Sequence, residues 1–320
     1  MWKYILIILT TLVAVSAHAE NDLGTRKEVS EKFNREYDQA VVEAFPSFKS
    51  AVIQRRLQSI QKKYLRGFDP LKIKNFTTLQ KTFRFPIQDI RPGQTFVEKE
   101  KVFAYELDRS SGRLYIHKNM EKVPPMKKIL AQRQLKQVKK QHDQLMTRLG
   151  IDRSQLLFTE TNFMLLQTGP APGGNQRPSA VMVDSFFTYA VRAIDGLMVD
   201  GSFVRLNSKN AKTLYGVDIT WPKFSFHPAL KNFELKKNQL LIGEISRIVN
   251  QTMVKGDKIN VKMAMVLRPV WTGRTLHYIP SMKVGVHSGK GEAGNMFYVD
   301  VLKQRVKYDV RANKDSSEGH

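Results

Sequence analysis

Residues 180–221 hold the longest unbroken run in which apolar alternation, a tight turn and a return strand follow one another, and any fold must accommodate it. Val181, Val183, Phe187, Tyr189 and Val191 keep to odd positions, so a strand turns them onto one face, with Ser185 breaking the row. Asp195-Gly196 then supplies a two-residue hairpin turn, because glycine accepts positive φ without a Cβ clash and aspartate tolerates it. Two further apolar stretches, Leu197–Leu206 and Gly216–Trp221, return the chain. The expectation is a β-meander.

The first residues read as an export signal. Lys3 forms a short positive region, Tyr4–Val15 an apolar one, and Ala17-His18-Ala19 a small-x-small cleavage site, with Glu20 as the mature start. The apolar run is shorter than the ~20 residues a membrane span needs, and no later stretch is long enough to cross a bilayer. The expectation is a mature protein without a transmembrane span, in the periplasm or outside the cell. The chain has no cysteine, which excludes a disulfide framework, thiolate catalysis, Cys-ligated metal and lipid acylation at cysteine. Stability must come from packing.

Charge is the strongest bulk feature. Against 29 acidic residues stand 52 lysines and arginines, a formal net charge of +23, and removal of the signal takes away only Lys3. Such an excess attracts anionic surfaces or polymers and carries no information about fold.

Along the chain, Val29, Phe33, Tyr37, Val41, Val42 and Phe45 recur mostly at spacings of four, an amphipathic helix stopped near Pro46. Val52, Ile53, Leu57, Ile60 and Tyr64 mark a second helix that ends near Gly67. From Phe103 the period changes to two, and Ser110-Ser111-Gly112 turns a hairpin that closes at His117. Pro124 and Pro125 open a long helix over Met126–Leu149, closed by Gly150. Its apolar stripe is read as Met126, Ile129, Leu130, Val138, Leu145 and Leu149. Leu156–Leu166 reads as a strand, and residues 169–178, with three prolines and three glycines, as a surface loop. After the meander come a helical pattern over Phe233–Val249 and strand patterns over Asn260–Val270, Ser281–His287 and Met296–Val310.

Runs of strands, rather than strict strand and helix alternation, favour an α+β fold of curled antiparallel sheets, each packed by helices. A loose twofold pattern, helix then curled sheet, breaks near Asn119. The expected division is a signal peptide at 1–19, N-terminal helices with a β-hairpin at 20–118, the long basic helix with an antiparallel α+β unit at 119–311, and a disordered tail at 312–320.

The search for chemistry yields no catalytic, cofactor or metal position. Gly289-Lys-Gly291-Glu-Ala-Gly294 fits G-x-G-x-x-G, but a strand pattern follows where a dinucleotide site needs a helix to hold the pyrophosphate, so the stretch is a hairpin loop. His18, His117, His142, His227, His277, His287 and His320 stand apart, with no H-E-x-x-H and no pair at helical spacing; His277 and His287 could share neighbouring strands but read as surface residues. No G-x-S-x-G occurs. Glu98 with Glu100, and Asp195 with Asp200, are explained by turns and strand edges. The most pointed feature is the basic side of the long helix, where Lys127, Lys128, Arg133, Lys136, Lys139 and Lys140 could bind an anionic polymer or an acidic partner; the bland reading is a solvated face. An exported chain without aromatic residues interleaved among its cations argues against nucleic acid.

The segment Arg192-Ala-Ile-Asp195-Gly196-Leu-Met-Val-Asp-Gly201-Ser202-Phe-Val-Arg205-Leu resembles the glycine-rich hairpin of PepSY-type domains and of the related propeptides of thermolysin-like proteases. Tyr105-Glu-Leu-Asp108 to Gly112-Arg-Leu is similar to their second hairpin. The resemblance covers a small part of the chain and puts no functional residue on a named position. It implies helices on curled antiparallel sheets and a non-catalytic role, such as inhibiting or chaperoning a peptidase in trans. Three expectations follow: an exported non-enzymatic binding protein presenting a sheet face or edge to a protein partner, an electrostatic binder of an anionic envelope polymer through the six cations, or a hydrolase with a carboxylate site of no recognised pattern. Salt separates the second from the first, because exposed charges are screened.

Overall fold

A computed structural model of the protein describes residues 36–46, 50–62, 95–97, 103–108, 111–118, 123–167, 180–230, 232–288 and 294–309. The signal and cleavage site, the helical pattern before residue 36, the stop at Gly67, the pair Glu98 and Glu100, the 169–178 loop and the 312–320 tail lie outside these residues.

The chain forms two compact units that interleave in sequence. Of the described residues, one takes those from 95 to 194 and from 201 to 223; the other takes those from 36 to 62, from 195 to 200 and from 224 to 309. Elements of the first unit are β1 (Thr95–Val97), β2 (Phe103–Asp108), β3 (Arg113–Lys118), β4 (Met126–Lys127), the 21-residue helix α3 (Lys128–Arg148), β5 (Leu156–Leu166), β6 (Met182–Ile194), the greater part of β7 (Leu197–Asn210) and β8 (Thr213–Thr220). The second unit holds α1 (Asp38–Ala44), α2 (Ser50–Lys62), the first residues of β7, α4 (Asn238–Thr252), β9 (Ile259–Thr272), β10 (Thr275–Ser288) and β11 (Asn295–Asp300).

In the first unit the strands run β1-β2-β3-β8-β7-β6-β5, with β4 paired to the start of β6. Asp195 and Gly196 both adopt positive φ, 48° and 76°, as a tight hairpin between β6 and β7 requires. Helix α3 covers one face of this sheet. Its Leu145, Met146 and Leu149 close over Leu114, Ile116, Ala190, Val204, Leu206, Val217 and Ile219, while Ala131 and Val138 meet Val183 and Phe186. The buried row of β6 beyond its bulge is therefore the even one, Phe186, Thr188 and Ala190. Val181 and Tyr189, of the odd row expected to share one face, stand exposed at 43% and 36%, while Val183 and Val191 are buried. A register shift between Met164 and Leu165 on β5 puts Val183 on the buried side ahead of the even row, and alternation without that shift cannot be read from sequence.

In the second unit β9 and β10 form a hairpin of 14 residues each, paired from Thr272↔Thr275 to Ile259↔Ser288, and β11 adds to β10. Helix α1 carries buried Val41 and Val42, packs on β9 and α4, and ends at Phe45 in extended backbone, the conformation forced on a residue before proline. The Asn250 amide ties α4 to α1 by donating to Asp38 Oδ1 at 3.0 Å. Leu57 and Ile60 of α2, and Ile245 and Val249 of α4, are fully buried.

The expected curled antiparallel sheets, each with its own helices, do not occur. The strands form a mixed ladder, because in the second unit β7 pairs with β9 in parallel through Met198↔Val266 and Val199↔Leu267, while the other strand registers among the described residues are antiparallel. A parallel pair joins segments far apart in sequence through a crossover, so local periodicity carries no sign of it.

Within the second unit that junction is held by charge. Asp200, at the end of the parallel stretch and nearly buried, accepts from Lys283 Nζ at 2.8 Å and from the Tyr298 hydroxyl. The Arg268 guanidinium stacks 4.6 Å above Tyr298 and 5.2 Å from the Tyr308 ring. Burial first, then the Asp200 carboxylate, pushes the Tyr298 phenol well above its ordinary range. Asp200→Ala leaves the Lys283 ammonium and the Tyr298 hydroxyl unpaired, and thermal denaturation should show a loss of roughly 1–3 kcal/mol; Tyr298→Phe should cost less, and equal effects would mean the carboxylate is not the hub.

Candidate functional site

Of the six cations expected to bind an anion, Lys128, Arg133, Lys136, Lys139 and Lys140 lie on α3 and Lys127 on the adjoining β4. The polar side of the sequence Lys-Ile-Leu-Ala-Gln-Arg-Gln-Leu-Lys-Gln-Val-Lys-Lys-Gln-His is rich in helix formers, and the buried residues Ala131, Val138, His142, Leu145 and Leu149, with half-buried Leu135, recur at alternating steps of four and three. At about 100° per residue, Lys128, Lys139, Lys136, Lys140 and Arg133 fall within an arc of about 140° on the side turned away from that row. All five, and Lys127 on β4, are exposed. Among the described residues none of the six side chains enters an ion pair.

The stripe read from sequence is corrected at its N-terminal end. Ile129 and Leu130 are 59% and 46% exposed. Met126 and Lys127 are a short strand paired with Val183 and Met182, so the helix begins only at Lys128 and its buried row only at Ala131. Ile129 then falls between Lys136 and Lys140 in the middle of the cationic arc.

What fixes α3 on the sheet is a residue that sequence reading left standing apart. His142 is buried, with Nδ1 at 2.7 Å from Thr188 Oγ1 on β6 and Nε2 at 2.7 Å from Ser208 Oγ on β7. The Thr188 hydroxyl is also 2.8 Å from that of Thr161 on β5. Burial pulls the imidazole down to about 4, so at neutral pH the ring is uncharged, one nitrogen donating and the other accepting. One side chain thus ties the helix to two strands. Ser208 and His142 have the pairing of a nucleophile and base, and both side chains are buried between α3 and the sheet. The available signal was spacing: His142 lies four residues after Val138 and three before Leu145, inside the apolar row.

The remaining expectations fall as follows. Gly289–Gly294 links β10 to β11, which pair antiparallel from Val286↔Asn295, so a strand and not a helix follows the glycines. His277 and His287 lie on the same strand, β10. The neighbour of His277 is His227, ring centroids 5.6 Å apart, and Ser225 Oγ is 3.1 Å from His277 Nδ1. Burial, then the His227 charge, lowers the His277 pKa. His117 lies between Tyr115 and Tyr215, at 6.4 and 5.6 Å, on the face of the first unit's sheet opposite α3. Among the described residues no group of three or more His, Asp or Glu is placed to hold a metal ion. Asp195 occupies the hairpin turn, and Asp200 pairs with Lys283.

Comparison with family models, with curated proteins and with solved structures finds no match. The site therefore stands on its geometry.

Proposed function

We propose that the protein is a non-enzymatic binding protein whose ligand is anionic and is held by the outward face of α3. The observation that carries this reading is the set of five cations within one arc of a single helix, with Lys127 beside it, all exposed and unpaired among the described residues. The arrangement works against the helix itself. Lys128 sits at the positive end of the macrodipole, with no acid in the first turn, and Lys136 and Lys140 repel across one turn, each effect a few tenths of a kcal/mol. A merely solvated face would be better served by mixed charge.

Reversal of Lys128, Lys136, Lys139 and Lys140 to glutamate tests the proposal. Retention on a polyanion column should collapse, while thermal stability holds or rises because a carboxylate in place of the Lys128 ammonium complements the macrodipole. Unchanged elution would falsify the proposal. Wild-type retention should also fall steeply with added salt.

A second reading, a protein partner captured at a sheet edge, is favoured by β5. This strand has 11 residues, pairs only with β6 among the described residues, and exposes Phe158 and Leu165. Binding of that kind should survive a high-salt wash.

A further inference from the structure

The cationic face ends in an apolar tip, and the two together narrow the ligand. Strand pairing places Met126, Val183 and Leu165 in one row and Lys127, Met182 and Leu166 in the next, so β4, the start of β6 and the end of β5 converge where α3 begins. At that corner Ile129 is 59% exposed, Leu130 46%, Val181 43% and Leu165 38%. Single exposed aliphatic side chains are ordinary on a protein surface, but Ile129 and Leu130 are adjacent on the first turn of α3 beside Lys127, Lys128 and Arg133, and Val181 and Leu165 adjoin the strand rows that pair with β4. Ile129 projects from the centre of the cationic arc.

We infer that the anionic ligand of α3 is a lipid surface: the corner formed by Ile129, Leu130, Val181 and Leu165 enters the interface of a bilayer rich in acidic phospholipid while the α3 cations contact its headgroups. The inference rests on the anion-binding reading of the same helix and goes beyond it. A soluble polyanion engages the cations and has no use for exposed isoleucine and leucine. A bilayer favours both, through apolar side chains placed at the headgroup and acyl boundary and through attraction of each lysine or arginine to an anionic surface. No described helix is long and apolar enough to cross a membrane, so the contact is one of surface docking.

The test uses the full chain and two vesicle preparations, phosphatidylcholine alone and phosphatidylcholine mixed with phosphatidylglycerol. Wild-type protein should co-sediment with the mixed vesicles and remain in the supernatant with the neutral ones. The double variant Ile129→Ser with Leu130→Ser, its folding checked by thermal denaturation, should lose at least tenfold in partition onto the mixed vesicles, since each buried CH2 is worth about 0.8 kcal/mol. Its elution from the polyanion column should not change. Equal partition of wild type and double variant, or no partition of wild type onto mixed vesicles, overturns the lipid inference and leaves polyanion binding standing. Unaltered column retention after charge reversal overturns the anion-binding reading itself.

Discussion

Replacing His142 by alanine should lower stability by roughly 2–4 kcal/mol, because it opens a cavity under α3 and strips the buried Ser208 hydroxyl of its partner. The same residue should make stability depend on pH. Unfolded histidine takes up a proton near pH 6.5, whereas folded His142 resists it down to about 4. The unfolded state binds more protons across that window, so the contribution is complete above about pH 6.5 and is lost as pH falls toward 4, a loss of roughly 3 kcal/mol. Urea unfolding at pH values above and below the window, on wild type and on His142→Leu, reads the effect. The leucine variant should show the shallower loss. His117 and His277 are also lowered by burial and act with the same sign, so the difference between the two proteins is the informative quantity. Identical pH dependence would remove His142 from the account. Acid should therefore loosen α3, and the cationic face it carries, before the charge of that face has changed.

Gly112→Ala should be the most damaging small substitution at a turn. Gly112 holds φ at +62°, and a Cβ there would lie 2.4 Å from Pro222 Cα, 2.5 Å from Pro222 N and 2.7 Å from the Trp221 carbonyl carbon. All three are backbone atoms, so no side-chain rotation relieves the clash. The Gly112 carbonyl also accepts from the Trp221 amide at 3.0 Å, which holds the β2–β3 turn against the chain leaving β8. Left-handed backbone alone costs a non-glycine residue about 1–2 kcal/mol, and the forced separation should bring the total above about 3 kcal/mol. Gly273 supplies the control: it has nearly the same φ, +60°, in the β9–β10 turn, but nothing lies within 4 Å of its Cβ position. Chemical denaturation should show Gly273→Ala losing only the backbone contribution. Equal losses at the two positions would show that the approach to Pro222 is not limiting.

Several elements were legible because their determinants are local. Asp195-Gly196 could be read as a hairpin turn from the tolerance of those two residues for positive φ, and both adopt it. The limits of β5 follow from a bounded apolar run, and Pro46 ends α1 through the conformation it imposes on Phe45. Lys128, Arg133, Lys136, Lys139 and Lys140 were legible as a basic side because helical spacing alone groups them, whereas Lys127 lies on β4. Errors came where partners outside the segment decide. Helical spacing cannot show that Met126 and Lys127 pair with β6 as a strand, so Ile129 and Leu130 looked buried and are exposed. A bulge in β6, where Asp184 is left out of the pairing with β5, exchanged its rows.

By itself, then, the sequence determined the Asp-Gly turn, the limits of β5, the end of α1, the lack of cysteine and the run of cations along one segment, all properties of neighbours along the chain. Only the tertiary structure decided the parallel β7–β9 pair, the burial of His142 between two hydroxyls, the approach of Gly112 to Pro222 and the exposed aliphatic corner beside the α3 lysines. Each of these joins residues separated by strands or helices, and chain periodicity holds no record of which face meets which until the elements pack.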